Sequence, residues 1–546
     1  MRKILKISKI SIFIYSFFGF LFWHFAKEML QVQTNGWYVG QVNLYGDLVY
    51  HLSLINKFIV TNKILIDNPI FAGDKVNYPI FADFTTSLLA RITGVDFALF
   101  ATTFVVGIIC LFVMKAFIKT FFKNEKISLL TFLLFFFNGG FGFYYFFKDY
   151  AISQKDIIDF LLSMPREYTD LKELGYWWIN SFLAYFIPQR AFLFAFPVTL
   201  VVLLLLYQGY KNKKTLNYIL AGLLAGSLGL IQSHSLFLLF ILCLMYIPLS
   251  LIFTTQKKKT LVNWIIFGGV TLLVAYPLFK LISTVDNPIK YFRYAPGWTS
   301  KENLIWFWFK NLGLFAPALI LSIISLFKNK KLFILYFPFL VVFVISNVYI
   351  FQPWEFDNSK LLIYWYFASS IIVASFLNDH FFQGNKVKAT LGVLIVFVMM
   401  FSSILDIFRT FTSVTSYQIY SNSDLEVAKE VQLLTSKDSI FVTASNHNNP
   451  IPTLTGRSTV LGFPGWVWSH GIDYTQREKD VSTIYLGETN AENLIRKYKI
   501  NYVTVGPQER SQFSINLSYF NNYPQINLEK GWTLYDVSGV WANSFR

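Results

Sequence analysis

The chain has 546 residues, of which 54% are apolar, 19% aromatic and only 14% charged, and its formal net charge is +16. A soluble globular protein carries about 25% charged residues, so most of this chain faces something other than water. The excess of positive charge does not point to nucleic acid, because the lysines sit in short clusters between apolar runs, where they report membrane topology.

Apolar runs of about 20 residues, the length that crosses a hydrocarbon core, recur through most of the chain. Without water to satisfy the backbone, each such run must be helical. Eleven spans are predicted, at 9–26, 98–118, 127–147, 191–207, 215–232, 235–254, 262–283, 309–327, 331–350, 361–377 and 389–409. The run after Met1-Arg2-Lys3 reaches Phe25 with no small-residue cleavage site, and reads as a retained first span. Cys110 and Cys243 both lie inside apolar runs and imply no disulfide framework. Gly139-Gly140-Phe141-Gly142, inside the third run, reads as helix packing.

The connections alternate in character. One set is short and basic: the N-terminus with Arg2, Lys3, Lys6 and Lys9, then Lys119/Lys123/Lys126, Lys211/Lys213/Lys214, Lys257/Lys258/Lys259, Lys328/Lys330/Lys331 and Lys386/Lys388. The excess of lysine and arginine places this set in the cytoplasm, and an odd number of spans then leaves the C-terminus outside. The other set comprises 27–97, 148–190, 284–308, 351–360 and the tail, and is rich in Trp, Tyr, Pro and Asp. The expected fold is therefore a polytopic α-helical membrane protein with a C-terminal soluble α/β domain. Residues 1–410 form the membrane domain and 411–546 the extracytoplasmic domain. In the tail, 424–431 and 488–498 have helical spacing, while 439–444, 501–506 and 532–537 read as strands.

The candidate residues fall on the outer side. Asp47 and His51 are four apart near the start of a predicted amphipathic helix and share one face. A carboxylate there can act as general base toward a hydroxyl or help hold a divalent cation. An N-cap aspartate with a surface histidine is the plain structural alternative. Asp74 and Asp83, farther along, read as solvated. Arg190 closes Pro188-Gln189-Arg190 where a span begins, and its planar fork suits a lipid phosphate or simply marks the interface. His234, in Ser233-His234-Ser235, is held in a tight hairpin against the membrane surface. Gln352 to Lys360 packs Glu355, Asp357, Asn358 and Lys360 into one short outer turn, with Lys360 as a point charge for phosphate and Asp357 able to orient it. No Walker loop, dinucleotide-binding glycine pattern, nucleophile elbow or zinc-type spacing occurs.

This layout resembles the GT-C superfamily of integral membrane glycosyltransferases. The resemblance rests on the first span, the early aspartate of Gly46-Asp47-Leu48-Val49-Tyr50-His51, Pro188-Gln189-Arg190, the Ser233-His234-Ser235 hairpin and Trp354 to Lys360. In the tail it rests on Leu454-Thr455-Gly456-Arg457 and Tyr502-Val503-Thr504-Val505-Gly506-Pro507. It implies a lipid-linked sugar donor on a polyprenyl phosphate and membrane lipids as partners, with the acceptor unknown. It further implies Asp47 as base, and His51, Arg190, His234, Asp357 and Lys360 as lipid-phosphate or substrate ligands. Residue 48 is Leu48 and the first loop holds no Asp-x-Asp, so a divalent metal stays open as a cofactor. No Trp-Trp-Asp motif occurs, since Trp177-Trp178 is followed by Ile179. The alternative is a transporter or lipid-handling protein without covalent chemistry.

Overall fold

A computed structural model of the chain describes residues 8–283 and 291–542. Arg2, Lys3 and Lys6 of the basic N-terminus, and residues 284–290 of the loop 284–308, lie outside the described residues. Among the described residues, eight helices are long and apolar enough to cross a membrane. They are Lys9–Lys27, Val95–Phe121, Arg190–Asn212, Ser233–Phe253, Lys257–Ile282, Lys330–Val348, Glu355–Phe382 and Lys386–Arg409. Leu304–Leu312 and Phe315–Leu326, bent by 101° at a short break, make a ninth when taken as one span. The predicted span 215–232 is the apolar helix Thr215–Ile231, 17 residues long. The protein is a polytopic membrane protein.

The predicted span 127–147 departs from expectation. Its helix, Glu125–Phe136, stops after 12 residues, and a new one starts at Phe143. The glycine run between them is a break, not helix packing. A Cβ on Gly140 would lie 2.0 Å from the Lys310 carbonyl oxygen, and one on Gly142 would lie 1.7 Å from that of Tyr168. Only residues without a Cβ allow two backbones to approach so closely. Helix packing by glycine occurs instead at Gly222 and Gly226, four apart, where Cβ atoms would meet Val270 and Val274 of Lys257–Ile282.

The chain divides into two compact units. One holds Met1–Ala26, Thr103–Tyr276 and Tyr291–Thr415, and the other Lys27–Thr102, Pro277–Lys290 and Ser416–Arg546. In the first, Glu355–Phe382 is the central helix: 89% of its apolar window is buried, against 17% for Lys257–Ile282. Phenylalanines fill the space around it, with Phe136 stacked 4.6 Å from Phe182 and Phe135 5.1 Å from Phe367. Cys110 and Cys243 are both buried free thiols within this unit.

The second unit is α/β. Its main sheet has the order Ser458–Thr459, Ile440–Val442, Tyr502–Val505, Thr533–Asp536, Gln525–Asn527, with the first three strands parallel and the last two antiparallel. Helix Asn422–Leu434, fixed by a Ser421–Asp424 capping box, places Val427 and Val431 against Phe441, Ile451 and Leu534. A second sheet joins distant parts of the chain: Gly36–Val39 pairs with Gln31–Gln33 on one side and Tyr417–Ser421 on the other. Helix Val42–Thr61 is then pinned to the tail by Asn56 Nδ2 donating to the Thr453 carbonyl (3.0 Å) and by Lys57 Nζ donating to Ser458 Oγ (2.9 Å). Gly456, with φ +71°, sits against the Asn56 carbonyl, so the Leu454-Thr455-Gly456-Arg457 segment is a structural turn. Its Arg457 donates to the Gln432, Thr435 and Thr455 carbonyls.

Candidate active site

Two groups of predicted residues are built separately, one in each unit. In the α/β unit, helix Val42–Thr61 starts four residues earlier than its glycine suggested, with Gln41 at the N-cap. Asp47 is therefore not a cap. It lies half-buried in the second turn, one helical turn before His51. His51 is not a surface histidine either: it is 3% exposed, and its Nδ1 lies 2.9 and 3.0 Å from the two oxygens of Asp83. Asp83 is fully buried, where the sequence suggested a solvated acid. Helix Phe81–Thr93 packs against Val42–Thr61, with Arg91 donating to Phe58 O and Asn62 Oδ1, and that packing carries Asp83 inward from its first turn. A carboxylate on Nδ1 fixes the ring and reserves Nε2 for other partners. Asp74 is a staple. It accepts from Arg477 at 2.6 Å, while that guanidinium stacks 3.5 Å over Phe71 and donates to the Ala72 and Val460 carbonyls.

Rings from the tail gather at the same helix start. His447 lies 4.2 Å from Tyr45, Trp466 5.3 Å from Tyr50, and His470 4.8 Å from Tyr50 (centroid distances). Burial holds the pKa of His447 below the ordinary histidine value, which leaves the ring neutral at pH 7.

In the membrane unit, Lys360 and Asp357 form an ion pair at 3.0 Å across one turn. Their charges both reach His234, and Gln352 lies beside the same ring. Gln352 also donates to Asn358 Oδ1 at 2.7 Å, and Asn358 in turn donates to the Ser346 and Tyr349 carbonyls. The hairpin Ser233-His234-Ser235 and the turn 352–360 thus belong to one polar cluster at the starts of two apolar helices. Ser235 extends it through a 2.7 Å hydrogen bond to Tyr364. Arg190 is 1% exposed at the first residue of its helix, with Nη1 donating to Thr103 Oγ1 at 3.1 Å, so it is a buried cation and not an interface marker.

One residue escaped the sequence reading. Asp406, fully buried in the last span, accepts from the Tyr168 amide (2.5 Å), the Thr169 amide (2.8 Å) and Thr169 Oγ1 (2.6 Å). Arg409 donates to the Met164 carbonyl at 3.0 Å. Together they anchor the loop that carries Glu167 and Asp170. Burial, with the neighbouring charges of Asp406 and Asp170, pushes the Glu167 carboxyl up to about 8. The signal was available: an aspartate inside an apolar run is costly and marks a purpose. Among the described residues, no three His, Cys, Asp or Glu side chains come together as a metal-holding group.

No protein-family profile matches the chain, and no curated protein does. Among solved structures, ArnT from Cupriavidus metallidurans in the apo state superposes with a TM-score of 0.51 and 10% identity, over 97% of this chain and 98% of ArnT. The chain has the fold of the GT-C glycosyltransferases. The same ArnT bound to undecaprenyl phosphate gives 0.49 and 9% identity over the same shares. The Archaeoglobus fulgidus oligosaccharyltransferase tethered with an acceptor peptide containing the NVT sequon gives 0.48 and 11%, over 93% of this chain and 70% of its own. The GT-C fold spans both units of the present chain, since the alignment with apo ArnT omits only 3% of it.

Proposed function

We propose that the protein is a membrane glycosyltransferase that moves a sugar from a polyprenyl-phosphate-linked donor to an acceptor on the outer face of the membrane. The observation that carries this reading is the cluster of Lys360, Asp357, His234 and Gln352 at the starts of two apolar helices. A lysine held by one carboxylate, beside a histidine, suits a phosphate monoester or diester at the end of a lipid chain. In the transfer, the bond between the anomeric carbon and the carrier phosphate breaks, and the acceptor oxygen forms the new bond to that carbon. Asp47 takes the acceptor's proton. The negative charge left on the carrier phosphate is met by Lys360 and Arg190, because cations aimed at developing charge lower the barrier most. His234 and His51 donate to the phosphate or orient the acceptor. The orientation follows from the alternation of basic connections, which puts the polar clusters on the non-cytoplasmic side.

The test is Asp47→Asn in purified protein given a polyprenyl-phosphate sugar and a membrane extract as acceptor source. Transfer should fall by about 10²–10⁴-fold, the usual contribution of a general base, while insertion and elution profile stay unchanged. Wild-type transfer by the asparagine variant would remove Asp47 from the mechanism. An intact donor after incubation with the wild-type chain would favour the transport alternative.

A further inference from the structure

The rings gathered around Tyr45 and Tyr50 of helix Val42–Thr61 form a continuous wall for which the proposed transfer gives no use. Tyr45 leads to His447 at 4.2 Å, and His447 leads to Phe463 at 5.8 Å and Trp466 at 6.1 Å. Phe463 and Trp466 meet edge to face at 5.3 Å, and Trp466 continues to Tyr50 at 5.3 Å and on to His470. All six belong to the α/β unit. The wall is open to solvent on one side: Phe463 is 36% exposed, and Tyr45, His447 and Trp466 are half-buried.

Two polar atoms are set into it. The Nε2 of His447 is buried and has no hydrogen-bond partner among the described residues. The hydroxyl of Tyr50, a side chain only 3% exposed, is likewise buried and unpartnered. Buried polar atoms are ordinarily satisfied, and leaving one unmade is costly unless a ligand supplies the partner. A lipid tail would call for an all-apolar lining, which two histidines and two tyrosines do not provide. A saccharide matches both features. Its ring offers an apolar C–H face to flat aromatic surfaces and a rim of hydroxyls to isolated polar atoms.

We infer that this wall is an acceptor subsite and that the acceptor is a carbohydrate, stacked on Trp466 and Phe463 with hydroxyls to His447 Nε2 and Tyr50. The assignment rests on the transferase reading, in which Asp47 is the base: Asp47 shares helix Val42–Thr61 with Tyr45 and Tyr50. The tail loop 445–470 then selects the acceptor.

The experiment uses the full chain in phosphatidylethanolamine–phosphatidylglycerol nanodiscs, fluorescently labelled, on a printed array of defined oligosaccharides and a parallel array of peptides. Binding of undecaprenyl phosphate is measured on the same preparations. At least one saccharide class should bind. Trp466→Ala should weaken that binding by roughly tenfold or more, as truncation of a central aromatic anchor does, and Trp466→Phe should retain most of it. His447→Phe keeps a ring but removes the nitrogen, and should weaken binding with Trp466 intact. Undecaprenyl phosphate binding should be the same in all variants. Binding to peptides and no saccharide, no binding to either array, or equal saccharide binding by wild type and Trp466→Ala would overturn the inference. Saccharide binding lost in Trp466→Ala, with no affinity for undecaprenyl phosphate in any variant, would instead break the donor reading and leave the subsite standing.

Discussion

Replacing Asp406 by asparagine should open the loop that carries Tyr168 and Thr169 without unseating the span that carries Asp406. The carboxylate accepts three hydrogen bonds through both oxygens: Oδ1 from the Tyr168 amide, Oδ2 from the Thr169 amide and hydroxyl. An asparagine has one acceptor oxygen and keeps at best the Thr169 pair. Its NH₂ then faces the Tyr168 N–H, donor against donor. Losing a hydrogen bond to a charged group costs about 1.5–3 kcal/mol, and leaving the amide buried without a partner adds about 1–3 kcal/mol. The sum, about 2.5–6 kcal/mol, corresponds to an opening equilibrium shifted by about 60-fold or more, at about 1.4 kcal/mol per factor of ten. Hydrogen exchange by mass spectrometry on a peptide covering 164–172 reads this directly, since local opening sets the exchange of those amides. Exchange there should accelerate by about 60-fold or more, while peptides from the rest of helix Lys386–Arg409 keep their protection. Unchanged exchange at Tyr168 and Thr169 would show that the carboxylate does not anchor the loop.

Glu167, in that same loop, should make loop stability depend on pH in the direction opposite to an ordinary salt-bridged acid. Its carboxyl is raised from 4.5 to about 8, chiefly by burial, so between these values the unfolded state has lost its proton and the folded state has kept it. Stability from this group is complete below the lower value and declines as pH rises through the interval. Glu167→Gln should flatten the decline, as read by thermal unfolding at pH 5 and pH 8.5; an equal pH response in both proteins would refute the assignment. Topology is open to cysteine labelling. A cysteine at Ser445 should react with a membrane-impermeant thiol reagent on intact permeable-walled cells, and one at Asn329 only after lysis. The reverse pattern would invert the orientation on which the transferase reading depends.

Length and polarity made most of the architecture legible. Apolar runs located nine spans within a few residues, counting the bent pair as one, because a 20-residue apolar run has few other fates in a bilayer. Strands 440–442, 502–505 and 533–536 were visible as short β-branched and aromatic runs. Strand 417–421 was not, because it depends on a partner about 380 residues away rather than on its own pattern, and strand 458–459 is only 2 residues long. The glycine run at 139–142 misled for a related reason: its meaning lies in the carbonyls of Lys310 and Tyr168, which no local rule reveals. The pairing of Asp357 with Lys360 was legible because both sat in one unusually polar turn. Asp83 was misjudged, since a lone acid in a loop carries no sign of the helix packing that buries it against His51.

Strand Gly36–Val39 lies between an early hairpin partner and Tyr417–Ser421, which follows about 380 residues later. At the ribosomal rate of about 5–20 residues per second, roughly 20–80 s separate the synthesis of the two edges. Throughout that interval the segment that follows the first span waits with an open strand edge and with the binding face for His447 and Trp466 uncovered. Such edges template unwanted pairing. Assembly of this protein is therefore gated by its last segment. Each chain emerges with its α/β unit unfinished, and any delay in delivering the tail exposes the half-built sheet to neighbours rather than to its own closing strand.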